Sequence, residues 1–101
     1  MRPDYLRRTQ GRVVQVHQSL AAASADVAPA ELSNARIVLH DIAGTAPVMG
    51  LPELGAMARS AEHRVAPLTQ STEPPSEASL HTLRQDVAAL LEALATELGE
   101  P

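Results

Sequence analysis

No cysteine occurs in the 101 residues. Disulfide staples, thiolate nucleophiles and cysteine metal sites are therefore excluded together, and a chain this small has to hold its fold by packing alone. Phenylalanine and tryptophan are absent as well, and Tyr5 is the one aromatic ring besides the histidines, although 45% of the residues are hydrophobic. The core must be aliphatic, built from Leu, Val, Ile, Ala and Met, a palette that suits packed helices. Lysine is missing altogether, so every basic side chain is an arginine. No apolar run approaches the roughly 20 residues of a membrane span, and no signal-peptide pattern opens the sequence, so a soluble cytoplasmic protein is expected. A Walker pattern and a glycine-rich phosphate loop after a strand are also lacking, which removes a nucleotide site and any kinase activity of the chain's own.

The net charge is −4, and its distribution is uneven. Arg2, Arg7, Arg8 and Arg12 dominate the start, whereas Glu73, Glu77, Asp86, Glu92, Glu97 and Glu100 outweigh Arg84 toward the end. Four arginines with a single aromatic ring, Tyr5, among them for base stacking are a poor footprint for nucleic acid, which is not expected as a partner. In a bundle with the first and last helices side by side, the two ends would instead pair loosely, each exposed pair contributing roughly 0–1 kcal/mol.

A chain of this length holds one domain, residues 1–101, with room for a single core. Four segments carry apolar residues spaced to share one helical face, the second and third in alternating steps of three and four without a miss. The first, about Pro3 to Ser24, has Leu6, Val13, Val16 and Leu20 on one face, and "SADVAPAEL" then supplies a break with Pro29 suited to a first helical turn. The second carries Leu32, Ala35, Leu39, Ile42, Ala46 and Met49. Pro47 should end or bend it between Ala46 and Met49, because the ring removes an interior hydrogen bond and clashes with the carbonyl one turn back. The third opens at Pro52 and Glu53 and carries Leu51, Leu54, Ala58, Ala61, Val65 and Leu68, with Pro67 near its end. "TQSTEPPSEAS" reads as a loop whose Ser76 can cap a fourth helix bearing Leu80, Leu83, Val87, Leu90, Leu94 and Leu98, stopped by Gly99 and Pro101. Four amphipathic helices on short loops predict an all-α fold, an antiparallel up-down-up-down four-helix bundle.

His40 lies within the second segment. At about 100° per residue, with Leu39 at zero, the apolar stripe spans an arc of about 120° centred near −40°, and His40 falls at about +100°. It flanks the core on the solvent side with Ser33, Arg36, Ala43, Gly44 and Pro47, and Ile37 stands at the far edge. The turn after His40 carries almost no side chain, so a partner surface can approach the imidazole closely. A glycine within a helix costs about 1 kcal/mol relative to alanine, and Gly44 points away from the core, where close helix packing would otherwise explain it.

The stretch "LHDIAGTAPVMGLPELGAMARSAE", Leu39 to Glu62, resembles the central motif of histidine-containing phosphotransfer (HPt) domains: a helix with His-x-x-Lys-Gly, a small-residue run, a glycine, then a second helix starting near a leucine. The order of four helices matches that family over nearly the whole chain. The resemblance places the phosphoacceptor on His40 and the motif glycine on Gly44, and it implies a docking face for a receiver domain made of Ser33, Ile37, Ala43, Gly44 and Pro47. The family's lysine falls on Ala43, so that cation is missing. Arg36, one turn before His40 on the same face, is a candidate replacement, since a guanidinium can pair with phosphate oxygens.

The function this implies is that of a phosphorelay carrier, accepting a phosphoryl group on His40 from a receiver aspartate and passing it to another. A neutral exposed imidazole is a competent nucleophile near pH 7, and phosphoryl transfer further demands in-line placement and charge compensation. The Mg²⁺ would belong to the response-regulator receiver, which could stand free or within a hybrid sensor histidine kinase, and the chain itself needs no cofactor. The alternative is an HPt-like adaptor that binds a receiver or kinase without being phosphorylated, as the missing lysine allows. His17, His63 and His81 stand in no recognisable zinc arrangement, so no metal is expected. The apolar stripes can all be consumed inside one bundle, which makes a monomer the expectation.

Overall fold

A computed structural model describes residues 2–22 and 27–99. Four helices follow one another: α1 (Arg2–Ala22), α2 (Pro29–Thr45), α3 (Pro52–Gln70) and α4 (Glu77–Leu98). No strand occurs among the described residues. The expected end of the first helix at Ser24 and the stop at Pro101 lie outside the described residues, as does part of the first break.

Local signals set the boundaries. Pro29 and Pro52 open α2 and α3, where the missing N–H has no intrahelical partner to lose, and Glu31 and Glu53 stand near the positive ends of the helix dipoles. The side chain of Ser76 accepts a hydrogen bond from the Ser79 backbone N–H at 3.1 Å and caps α4. Gly99, in the left-handed region at φ 77°, closes α4. α2 ends at Thr45, ahead of Pro47. The chain then makes one further tight turn, in which the Leu51 N–H donates to the Ala46 carbonyl at 2.9 Å and the Gly50 N–H to that of Pro47 at 3.1 Å. With Gly50 at φ 79°, this is the Schellman pattern, which needs a residue free to adopt positive φ and leaves buried Leu51 to start the next packing layer. Pro67 is tolerated three positions before the end of α3.

α1 packs against α2 and α4, and α3 against α2 and α4. The aliphatic stripes meet inside: Leu6, Val13, Val16 and Leu20 of α1, Leu32, Leu39 and Ile42 of α2, Leu54 and Val65 of α3, and Leu80, Leu83, Val87, Leu90 and Leu94 of α4 are all buried. Thr9 joins them from α1. Leu68 and Leu98 close the ends of the stripes only half-buried, and so does Met49.

Polar contacts tie the helices laterally. Thr45 donates its hydroxyl hydrogen to the Asp41 carbonyl at 2.7 Å, so the 2.6 Å contact with Tyr5 is a bond donated by the tyrosine. Arg12 pairs with Asp41 at 2.9 Å, Arg64 with Asp86 at 2.8 Å, and the Arg84 Nε–H donates to the Leu20 carbonyl at 2.9 Å. The charge expectation therefore needs correction at Arg12, which is engaged by α2 rather than by the acidic end of α4.

The most extensive contact is that of α2 with α3. α2 buries Ala35, Ala43 and Ala46, and α3 buries Gly55, Ala58 and Ala61, side chains small enough for two backbones to come close. Gly55 is where the approach is tightest. A Cβ there would lie 2.7 Å from Cγ and 2.8 Å from Cδ of Pro47 and 3.5 Å from the Ala43 carbonyl oxygen. The proline that terminates α2 thus also seats its ring on the backbone of α3.

Candidate functional site

His40 sits in the penultimate turn of α2 and is held there from below by its neighbours Leu39 and Ile42, both buried in the core. Its own side chain is 73% exposed. The wheel position outside the apolar arc is the reason: the residues on either side anchor the helix while the imidazole projects from it.

One contact orients the ring. His40 Nδ1 lies 2.7 Å from Oε2 of Glu62, a residue of α3 whose side chain is only 14% exposed. A carboxylate can only accept, so Nδ1 carries the proton and donates it. In the neutral ring the lone pair then belongs to Nε2, which makes no hydrogen bond to a described residue. The arrangement is that of a nucleophilic nitrogen facing solvent, with its tautomer set by a sheltered carboxylate on the next helix. Sequence reasoning missed Glu62. It was visible only as the last residue of the motif stretch, and nothing local connects it to a residue 22 positions earlier.

Around His40 the exposed surface is mixed. Arg36, Ile37, His40 and Asp41 line one shallow depression. Arg36 is exposed and makes no hydrogen bond or ion pair with a described residue; Asp41 is occupied by Arg12. Ile37 is 56% exposed and Val48 85%, two branched apolar side chains presented to solvent on either side of the imidazole along the chain. Val48 was not anticipated, because it lies in the turn beyond the helix, where a wheel no longer applies. Ser33 is exposed, as is Gly44, where an added Cβ would meet nothing within 4 Å. The glycine is therefore not required by packing within the molecule. Pro47 is exposed and at the same time fills the space above Gly55.

Ala43 requires a correction. The wheel places it with His40 on the solvent side, whereas it is 5% exposed and belongs to the core. Its angle is at the edge of the stripe, and the close approach of α3 at Gly55 covers that edge. No group of three or more histidine, aspartate or glutamate side chains among the described residues could hold a metal ion. No helix among them is long and apolar enough to cross a membrane.

Four helices that pack two by two and expose one oriented imidazole on the second define a helical module with an accessible surface histidine. The model of the Hpt domain family matches residues 1–96, and the chain belongs to that family. Hpt domains are the histidine phosphotransfer modules of phosphorelays. No curated protein and no solved structure matches the chain.

Proposed function

We propose that the chain is a single phosphotransfer domain whose His40 accepts a phosphoryl group from the aspartyl phosphate of a response-regulator receiver and passes it to a second receiver. The observation that carries this reading is the contact of Nδ1 with Glu62 beneath an open Nε2. In the forward step the Nε2 lone pair forms a bond to phosphorus as the bond from phosphorus to the aspartate oxygen breaks, and the aspartate leaves as a carboxylate. Nδ1 keeps its proton throughout, and the positive charge that develops on the ring is balanced by Glu62. The reverse step returns the phosphoryl group to another aspartate by the same displacement.

The transferring group carries charge that must be offset at the moment of reaction. In this reading Mg²⁺ on the receiver offsets part of it, the chain contributes no cofactor, and Arg36 contributes a guanidinium from one turn before His40. Ile37 and Val48, with Ser33, Gly44 and Pro47 between and around them, form the surface on which the receiver sits, whether that receiver is free or part of a hybrid sensor histidine kinase. Ala43 serves this surface from beneath, as packing. The up-down-up-down course of the bundle is part of the same reading. It is supported by the order of the lateral contacts, which join Tyr5 near the start of α1 to Thr45 at the end of α2, Pro47 just beyond α2 to Gly55 in the first turn of α3, and Leu20 near the end of α1 to Arg84 in the first half of α4. A cytoplasmic monomer fits a carrier that has to meet two receivers in turn.

Incubation with a panel of phosphorylated receivers, followed by detection of acid-labile phosphate, tests the proposal. The chain should become labelled, and His40→Gln should abolish labelling. Retained labelling in that variant would overturn the assignment. Ala43, standing where the motif has a lysine, favours one other reading, an adaptor that binds a receiver or kinase without taking phosphate; binding that is equal in wild type and His40→Gln, with no labelling of either, would establish it instead.

A further inference from the structure

Two contacts define how α2 and α3 lie against each other at the site. His40 meets Glu62, and Pro47 sits on Gly55. The step forward from His40 to Pro47, in the turn that continues α2, equals the step back along α3 from Glu62 to Gly55, so both contacts belong to one register with the chain running in opposite directions on the two sides. In that register the residue of α3 facing Ala43 is Arg59. Its direction agrees: at about 100° per residue, positions 55, 59 and 62 fall within an arc of about 60°, so Arg59 is on the face of α3 that carries both contacts to α2. Along the axis it stands about 4.5 Å from the level of Glu62, less than one turn.

The chemistry of this spot is short of a cation. Ala43 offers a buried methyl and Gly44 no side chain at all, so α2 supplies no positive charge on the C-terminal side of His40. Apart from Arg36, the arginines on the adjoining turns are engaged elsewhere, Arg12 by Asp41 and Arg64 by Asp86. Arg59 is exposed and makes no hydrogen bond or ion pair with a described residue. Its long stem can run along the small residues of the helix contact and bring the guanidinium toward the imidazole.

We propose that Arg59 supplies, from α3, the positive charge that Ala43 cannot, and that it holds the phosphoryl group on His40 from the side opposite Arg36. The two guanidinium groups approach from successive turns on either side of the ring, and each presents a planar fork of donors to phosphoryl oxygens. Because the cation comes from the facing helix, α2 can keep alanine and glycine next to His40 and leave that surface clear for a receiver. This inference rests on His40 being the phosphoacceptor.

Labelling with phosphoramidate, a small-molecule donor, separates the two claims because no receiver is involved. The ³¹P signal that disappears in His40→Gln is assigned to His40, and absence of any such signal in the wild type would defeat the phosphoacceptor reading itself. With that signal in hand, the second ionisation of the phosphoryl group is followed by ³¹P titration and the lifetime of the phosphohistidine by its decay. Arg59→Ala should raise the pH of that ionisation and shorten the lifetime about five-fold, the scale of one exposed charge contact. Arg59→Lys should recover part of both, since it restores charge without the fork. The same comparison in an Arg36→Ala background should show the larger effect, because the remaining cation is then the only one being removed. An ionisation and a lifetime that Arg59→Ala leaves unchanged in both backgrounds would overturn the role of Arg59 while leaving His40 as the acceptor.

Discussion

Without the Glu62 carboxylate, the imidazole of His40 can carry its proton on either nitrogen. Glu62→Ala should therefore produce a mixed tautomer population in ¹⁵N NMR and slow phosphoryl uptake several-fold, because rings protonated on Nε2 have no lone pair to offer there. Glu62→Gln retains an oxygen acceptor for Nδ1 and should fall between the two; a tautomer unaltered in Glu62→Ala would show that the 2.7 Å contact does not orient the ring. Ala43 supplies a second case at this scale. Restoring the motif lysine by Ala43→Lys looks conservative on a helical wheel, but the position is buried against α3. Overpacking of this kind costs typically about 1–3 kcal/mol, so the variant should melt at a lower temperature in thermal denaturation. An unchanged melting temperature would mean that the lysine stem finds a path to solvent without moving α3.

The packing of α2 on α3 depends on a glycine and a proline that look unrelated in the chain. On helix propensity alone, Gly55→Ala should stabilise α3 by about 1 kcal/mol. The added Cβ would instead meet the Pro47 ring at 2.7 and 2.8 Å, and a pyrrolidine fixed to the backbone cannot swing aside like the end of a long side chain. Net destabilisation of about 1–3 kcal/mol is expected, read as a fall in melting temperature of about 4–8 °C per kcal/mol in a domain of this size. Pro47→Ala in the same chain removes the obstructing ring, so the double variant should be less destabilised than the two single changes added together. Strict additivity would show that the two residues do not bear on each other. Because the same contact sets the register that brings Glu62 to His40 and Arg59 opposite Ala43, Gly55→Ala should also perturb the tautomer of His40.

At the scale of the whole molecule, stability and chemistry are drawn from different residues. The core is aliphatic throughout, with Leu80, Leu83 and Leu90 of α4 fully buried, and no ring system inside to rigidify it. Leu90→Ala leaves a cavity that neighbouring aliphatic side chains only partly refill and should cost about 2–5 kcal/mol. His40→Gln changes an exposed side chain away from the core and should stay within about ±0.5 kcal/mol, even though on the proposed function it should abolish phosphate acceptance. Denaturant unfolding of both variants checks the contrast; comparable losses in the two would mean that the His40 contact with Glu62 holds the bundle together as well as orienting the ring.

The sequence by itself determined the four helices and most of their ends, because the signals are local. Steps of three and four placed the stripes of Leu32 to Ile42 and of Leu80 to Leu94, and Pro29, Pro52, Ser76 and Gly99 act within a turn of where they stand. The outward direction of His40 was legible for the same reason, as an angle about a single helix axis. Tertiary structure alone decided what meets that ring. A wheel gives direction but neither the slide of one helix along another nor how far a neighbour wraps around the edge of a stripe, so Ala43 was placed at the surface and Glu62, Gly55 and Arg59 went unconnected to it. Those relations depend on the seating of the Pro47 ring on Gly55, a contact between the turn that ends α2 and the body of α3. The periodicity that builds each helix is indifferent to such a contact: it repeats along every stripe and so favours no one register over its neighbours, until two backbones come close enough for a single side chain to choose.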